Sequence, residues 1–353
     1  MIREGWEQSQ RRFEALWHNE RLDRNTVAIQ LIDDPQKPFL DELLPLSEEH
    51  RRFMDETFIY EMLREQMARV RFYGDAFPCM TLYLGTCAHG AYTKKVDYSV
   101  SSGSVWLHPV MDDITDTLQF DENAEFLQAT TRIIKHLTAH NSREYLIGNT
   151  DNCSSLDTLS SLRGVDNLLV DMLTEPEAVE SQIAVLQNIL CRTENGFAEP
   201  LLATNGGGTV TEFMHLWSDG YHHQLQCDMA AMISPALFER FAVPELSDAA
   251  RWMKRVVYHL DGQEQIRFLD MILSIDNIQL IQWTPVAGQP PTSAFIPELK
   301  RIQAAGKGLV LFPHVSEMPT LLAELAPKGI HFVPQGVETE EQALAVLQML
   351  ERA

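Results

Sequence analysis

An imidazole and a carboxylate two residues apart, His259 and Asp261, close the segment RVVYHLDG. Val256, Val257 and Tyr258 before them are β-branched or aromatic, so the run predicts a short buried strand. The helix-like stretch QEQIRFLDMIL follows Gly262, which puts the pair where a strand hands over to a helix. Side chains at i and i+2 of a strand leave the same face. In α/β proteins ligands bind beyond the carboxyl ends of the strands, so His259 and Asp261 can meet a ligand together. The plainer alternative is a core histidine and a helix-capping aspartate.

Other predicted strands end on polar groups too. EYLIGNT delivers Asp151 and Asn152, HQLQCDMA delivers Gln226, Cys227 and Asp228, IQLIQWT delivers Gln282 and Trp283, and GLVLFPH delivers His314. Each residue alone can be read as a cap, as core packing or as simple burial. Together they compose an active site more than a core, because unpaired buried carboxylates are costly. Two chemistries suit them. His259, Asp261 and Cys227 could hold zinc, which accepts N, O and S ligands and keeps a position open in catalytic sites. Alternatively Asp261, Asp228 and Asp151 could act as acid/base groups, with His259 sharing protons.

Several familiar chemistries find no motif. There is no GxSxG for a serine hydrolase and no GxGxxG after an early strand. The triple glycine Gly206, Gly207, Gly208 lacks the Lys-Ser/Thr of a P-loop, and reads as a flexible loop on the active face. Adjacent His222 and His223 must face opposite ways on a strand, so the pair is expected to be exposed or in a loop.

The elements that position these residues are legible after about residue 200. LQCDMA precedes a helix opened by Ser234-Pro235, RVVYHL precedes QEQIRFLDMIL, and IQLIQWT precedes IPELKRIQAAG. GLVLF precedes SEMPTLLAELA, and GIHFVP precedes TEEQALAVLQMLER, where Thr339 and Gln342 have capping-box spacing. Such βα repetition with apolar strands predicts a parallel sheet covered by helices. Earlier, NTVAIQLI is an expected first strand, LSEEHRRFMDETFIYEMLREQMARVRF one long helix, and FPCMTLYLG and SGSVWLHPV extended segments. TEPEAVESQIAVLQNILCRTENGF is an expected helix with Thr174 and Glu177 as its capping box. No linker or repeat divides the chain. The expectation is one (β/α)8 TIM barrel over residues 1–353, with a helical N-terminal extension over about 1–24.

Bulk composition narrows the class. A formal net charge of −22 disfavours nucleic acid, whose phosphates need clustered Lys and Arg. The 45% hydrophobic and 22% charged fractions are those of a globular protein without a membrane span. The five cysteines form no CxxC pair and are odd in number, which fits a reducing, cytoplasmic setting better than a disulfide framework. The N-terminus MIREGWEQSQRRFEALW lacks the apolar core of a signal peptide.

The run LQCDMAAMISPALFERFAVPEL, then YHLDGQEQIRFLDMILSIDNIQLIQWTPVAGQP and RIQAAGKGLVLF, resembles the uroporphyrinogen decarboxylase superfamily. It looks most like the branch of cobalamin-dependent methyltransferase-like proteins that includes trimethylamine corrinoid protein 2-like members. WHNERLDRNTVAI, FYGDAFP and GNTDN with LDTLSSLRG extend the likeness over nearly the whole chain. The resemblance implies a (β/α)8 barrel. It also implies one of two activities: decarboxylation of a polycarboxylate tetrapyrrole, or methyl transfer between a corrinoid protein and a small acceptor. The segment NTVAIQLIDDPQKPF holds two Asp and no Arg, which should repel a polycarboxylate. The methyltransferases hold zinc with a His-x-Cys pair and a Cys in a Pro-Gly-Cys turn. Here those places read His259-Leu260-Asp261 and Pro313-His314-Val315, so both thiolates are absent, with Cys227 or His314 as conceivable substitutes.

The expectation is therefore a corrinoid-linked methyltransferase or demethylase component, with His259, Asp261, Asp228 and Asp151 as catalytic groups. Gln226, Gln282, Trp283, Trp217 and Asn152 would contact substrate; a metal-free site is favoured because two of the family's three ligands are missing, and zinc is the metal that His259, Asp261 and Cys227 would hold if one is bound. The alternatives are a lyase acting on a small carboxylate without corrinoid, and a silent binding barrel. GNTDN is not the DxHxxG motif of corrinoid-carrying domains, so a separate corrinoid protein is the implied partner. A homodimer is the assembly to be considered.

Overall fold

The computed structural model describes residues 2–82, 85, 87–101, 103–151, 153–284 and 286–352. In chain order its strands are β1 (Thr26–Ile32), β2 (Val70–Gly74), β3 (Cys79–Leu82), β4 (Tyr98–Ser101), β5 (Ser104–Leu107) and β6 (Leu146–Thr150). They continue with β7 (Gly208–Thr211), β8 (Leu216–Asp219), β9 (His222–Leu225), β10 (Arg255–Asp261), β11 (Leu280–Thr284), β12 (Gly308–Leu311) and β13 (Ile330–Phe332). Strands β9 to β13 lie side by side in chain order, each neighbouring pair parallel. This is the βα repetition expected of apolar strands covered on both faces. β1 adds in parallel beyond β13, and β2 folds back antiparallel on β1, completing a seven-stranded sheet.

β3 and β6 form a separate parallel pair, and side chains join this pair to the main sheet on both sides. Just before β3, the Asp75 amide donates to Val27 O at 2.6 Å, and Val27 N donates to the Asp75 carboxylate at 3.1 Å. Beyond β6, the Asn205 side-chain amide takes both hydrogen bonds of Ile147, at 2.9 and 2.8 Å. Asn149 Nδ2 donates to His222 O at 2.7 Å. The arrangement is barrel-like, but backbone ladders among the described residues do not close the expected eightfold ring. The cause is visible at β1, where β2 occupies the ladder from Ala28 to Ile32 and leaves only Val27 to meet Asp75.

The helix Trp6–Trp17 is more than an appended extension. It buries Phe13, Leu16 and Trp17 against Phe77, Leu146, Leu216, Val257, Leu280 and Val310, which floors the interior at one end. Elsewhere local chemistry overrides the sequence reading. The expected long helix breaks at Asp55, whose carboxylate accepts Phe58 N at 3.0 Å and starts a new helix, Glu56–Arg69. The last residues of the expected run, Val70 to Phe72, belong to strand β2. Thr174 does not cap the next helix; its hydroxyl donates to Val170 O at 3.1 Å, and the helix Pro176–Thr204 starts on proline instead. The Thr339–Gln342 box does form, with reciprocal bonds of 3.2 and 3.1 Å. Gly206 lines a cavity with Ile2, Trp6 and Leu146, the first residue of β6. The glycine run therefore lies at the amino ends of the strands and not on the active face. Among the described residues no helix is long and apolar enough to cross a membrane.

Candidate functional site

At the carboxyl ends of β6, β9 and β10 opens a cavity of about 460 Å³, lined by Asp151, Gln224, Gln226, Asp228 and His259 with Glu212 and Phe213. The period of a strand explains the first group. Gln224 and Gln226 alternate along β9 and its exit, so their side chains and that of Asp228 leave one face. They form a polar ladder: Gln224 Nε2 donates to Asp151 Oδ1 and, at 3.2 Å, to Gln226 Oε1, while Gln226 Nε2 donates to Asp228 Oδ2 at 3.1 Å. Gln224 escaped the sequence reading, although its i, i+2 relation to Gln226 would have found it. Glu212 and Phe213 come from the loop between β7 and β8, which carries no periodic signal.

His259 sits in register with Gln282 across β10 and β11. Its Nδ1 is hydrogen-bonded to Gln282 Oε1 and lies 3.2 Å from Thr284 Oγ1. Donation from Nδ1–H to that amide oxygen leaves Nε2 with the lone pair, on a ring that lines the cavity. Phe213 meets this ring edge to face, with centroids 5.9 Å apart. The imidazole is thus oriented by an amide and a hydroxyl and held by an aromatic ring, with one nitrogen available for proton transfer.

The carboxylates feel one another. Burial pushes the Asp151 carboxyl up, against His223, His259 and the Gln224 amide, which favour its charged form. Burial likewise raises Asp228; His259 opposes the shift, and Asp261 and Asp151 add to it. No lysine or arginine lines the cavity among the described residues.

Behind this face, Asp157 accepts the backbone amides of Asp228 at 3.0 Å and Met229 at 2.7 Å, fixing the exit from β9. Asp157 also completes the capping box of the helix Ser155–Arg163 with Ser154. Glu245 accepts the amides of Ser155 and Leu156 at 2.9 and 3.2 Å. Burial first, then repulsion from Asp228, raises Asp157 to about 7, and burial followed by repulsion from Asp157 raises Glu245 to about 8. Sequence reasoning missed both, since neither sits at a strand end.

The expected residues therefore divide. Asp151, Gln226, Asp228 and His259 share the cavity, with Gln282 directly behind the imidazole. Asp261 lies exposed at the rim and close enough to Asp228 to repel it, but the partners of His259 are Gln282 and Thr284. Trp283 does not wall the cavity. It alternates with Gln282 onto the opposite face of β11 and packs on Phe295, centroids 4.9 Å apart. Trp217 is also displaced from the expected wall, since β8 carries it to the floor beside Trp6 and Phe13. Cys227 alternates away from Gln226 and Asp228 and is fully buried, with its carbonyl accepting Gln265 Nε2 at 3.2 Å. The trio His259, Asp261 and Cys227 is thus not assembled. Among the described residues no group of three His, Cys, Asp or Glu is placed to hold a metal ion. His314 does not line the cavity; its Nδ1 caps a short turn by accepting Ser316 N at 3.3 Å. Asn152 lies outside the described residues. His222 and His223 do face opposite ways, but both are buried: His222 bridges Thr209 and Thr211, and His223 lies 3.8 Å from Glu194.

No family model and no curated protein matches this chain. Among solved structures, a methyltransferase from Methanosarcina mazei matches with a TM-score of 0.60 over 98% of this chain and 98% of that one, at 11% sequence identity. At that identity the likeness shows a shared fold.

Proposed function

We propose that this protein is a methyltransferase of the uroporphyrinogen decarboxylase-like kind, moving a methyl group between a small substrate and a corrinoid on a separate carrier protein. The observation that carries the reading is the cavity at the strand carboxyl ends, where an imidazole oriented by Gln282 and Thr284 shares the lining with the carboxylates of Asp151 and Asp228. The shared fold and the sequence resemblance supply the reaction class. A cavity of about 460 Å³ suits a small molecule and is too small to enclose a corrin macrocycle, so the carrier would present its corrinoid at the mouth. The corrinoid supplies the cobalt that gives or accepts the methyl group; the residues of this chain manage the substrate.

His259 Nε2 takes the proton from a heteroatom that gains the methyl group, or returns one to a heteroatom that loses it. Gln282 and Thr284 hold the ring in the required tautomer. Asp151 and Asp228 stabilise positive charge on the heteroatom, and Phe213 covers the imidazole. A lining of carboxylates without a cationic side chain favours neutral or cationic substrates. The same lining disfavours the lyase alternative, since a small carboxylate would find no cation to bind it. Zinc does not fit the donor set, because Cys227 is buried away from the cavity.

The test follows cobalt-bound methyl by visible absorbance, with methylated and reduced carrier corrinoid and a panel of methylated amines, ethers and thiols. Turnover with one class, lost in His259→Ala, is the expected result. No spectral change in either direction with any class overturns the proposal.

A further inference from the structure

Two thiols lie close to the cavity and outside its acid–imidazole chemistry. Cys87 directly precedes the short turn Ala88–Tyr92 that follows β3. Cys153 follows β6 and directly precedes Ser154, the N-cap of the helix Ser155–Arg163. Their sulfurs stand 3.1 Å apart although the residues are 66 positions apart in sequence. The approach is built by packing. Gly90 sits so near the helix that a Cβ there would come within 2.7 Å of Thr158 Cγ2 and 2.8 Å of Leu107 Cδ1. Hydroxyls of the same helix flank both sulfurs, Thr158 Oγ1 at 3.4 Å from Cys153 and Ser161 Oγ at 3.6 Å from Cys87.

We propose that Cys87 and Cys153 form a redox-active dithiol, which a hydroperoxide converts into a reversible bridge between the loops that leave β3 and β6. Cys87 is half-buried while Cys153 is 4% exposed, so the oxidant meets Cys87 first. Burial also pushes the Cys153 thiol up, with Cys87 and Asp157 adding to the effect, which makes Cys153 the poorer first nucleophile. The Cys87 sulfur attacks the O–O bond and becomes a sulfenic acid; with hydrogen peroxide the leaving oxygen departs as water. The Cys153 sulfur then attacks the Cys87 sulfur and expels a second water. Two thiol protons and two electrons pass to one peroxide, and an added dithiol reverses the change.

The bridge reaches the cavity through the chain. Cys153 lies between Asp151, which lines the cavity, and the Ser154–Asp157 cap, whose Asp157 carboxylate fixes the amide of Asp228. Drawing the sulfurs from contact to a bond of about 2.05 Å pulls on both carboxylates. This inference does not depend on the methyl-transfer reading.

The test treats the full chain with stoichiometric hydrogen peroxide, blocks remaining thiols with N-ethylmaleimide, and maps peptides by mass spectrometry. Two of the five thiols should be lost together in a peptide linking Cys87 to Cys153, at least tenfold faster than Cys79 or Cys191 is oxidised. Dithiothreitol should restore them. In Cys153→Ser, dimedone should trap a sulfenic acid at Cys87; in Cys87→Ser, Cys153 should stay reduced at the same dose. Equal oxidation of all thiols, a bridge to another cysteine, or no bridge in the wild-type protein overturns the proposal. The wild-type map decides even if a serine variant fails to fold.

Discussion

Asp75→Asn should loosen the floor of the fold while leaving the cavity chemistry unaltered. Asp75 is fully buried and accepts hydrogen bonds from Arg24 at 2.6 Å, Ser9 at 2.8 Å, Arg12 at 3.1 Å and Val27 N at 3.1 Å. Burial alone would raise its carboxyl, but Arg24 and Arg12 together with these bonds hold it below the ordinary range. Arg3 is close enough to be influenced by the same charges and is bonded to Ser9 at 2.7 Å. The isosteric amide keeps the shape but removes the negative charge among these guanidiniums. Arg12 retains Asp23 at 2.7 Å, whereas Arg24, 7% exposed, loses its carboxylate partner. Breaking a buried pair in this way costs about 3–5 kcal/mol. An unfolding entropy of about 2.1 cal/mol/K per residue over 353 residues converts that cost to a Tm lower by roughly 4–7 °C. Differential scanning fluorimetry measures the shift, and hydrogen exchange across Trp6–Trp17 tells whether the helix detaches first. A Tm change under about 1 °C with unchanged exchange would refute the idea that this charge locks the helix to the sheet.

Three further outcomes follow from the site and the core. His259→Ala should reduce methyl transfer by about 10²-fold or more with little change in Tm, whereas Asp261→Asn at the rim should lose less than tenfold in kcat/KM. Glu245 is raised to about 8 in the folded chain from about 4.3 when unfolded. Its stabilising contribution is therefore complete below about pH 4 and is lost as pH rises through its folded value. The wild-type Tm should fall between about pH 4 and 8, and Glu245→Gln should flatten that fall; parallel curves would count against it. Trp283→Ala should destabilise by about 3–5 kcal/mol through the void left beside Phe295, without changing substrate KM at temperatures where the variant stays folded.

The C-terminal alternation, the parallel order β9 to β13 and the placement of Asp151, Asp228 and His259 at strand carboxyl ends were readable from residue types alone. The reason is that apolar runs, caps and i, i+2 spacing are local signals that survive without tertiary context. The Thr339–Gln342 box belongs to the same class. What the local pattern could not say is which face of each strand meets the cavity. Trp283 and Cys227 looked like site residues because they sit at strand ends, but the sheet turns one face of β11 and of the β9 exit outward and buries both. Trp217 was misplaced for another reason: its position depends on the hairpin β7–β8 and on the helix that packs beneath it. The partner of His259 is likewise a matter of register. Asp261 is nearer in sequence, but β11 brings Gln282 alongside, and only the register of the β10–β11 pairing decides that. The contact of Cys87 with Cys153 has the same origin. Two segments far apart in the chain become neighbours because β3 and β6 pair in parallel, and no spacing in the sequence encodes that distance.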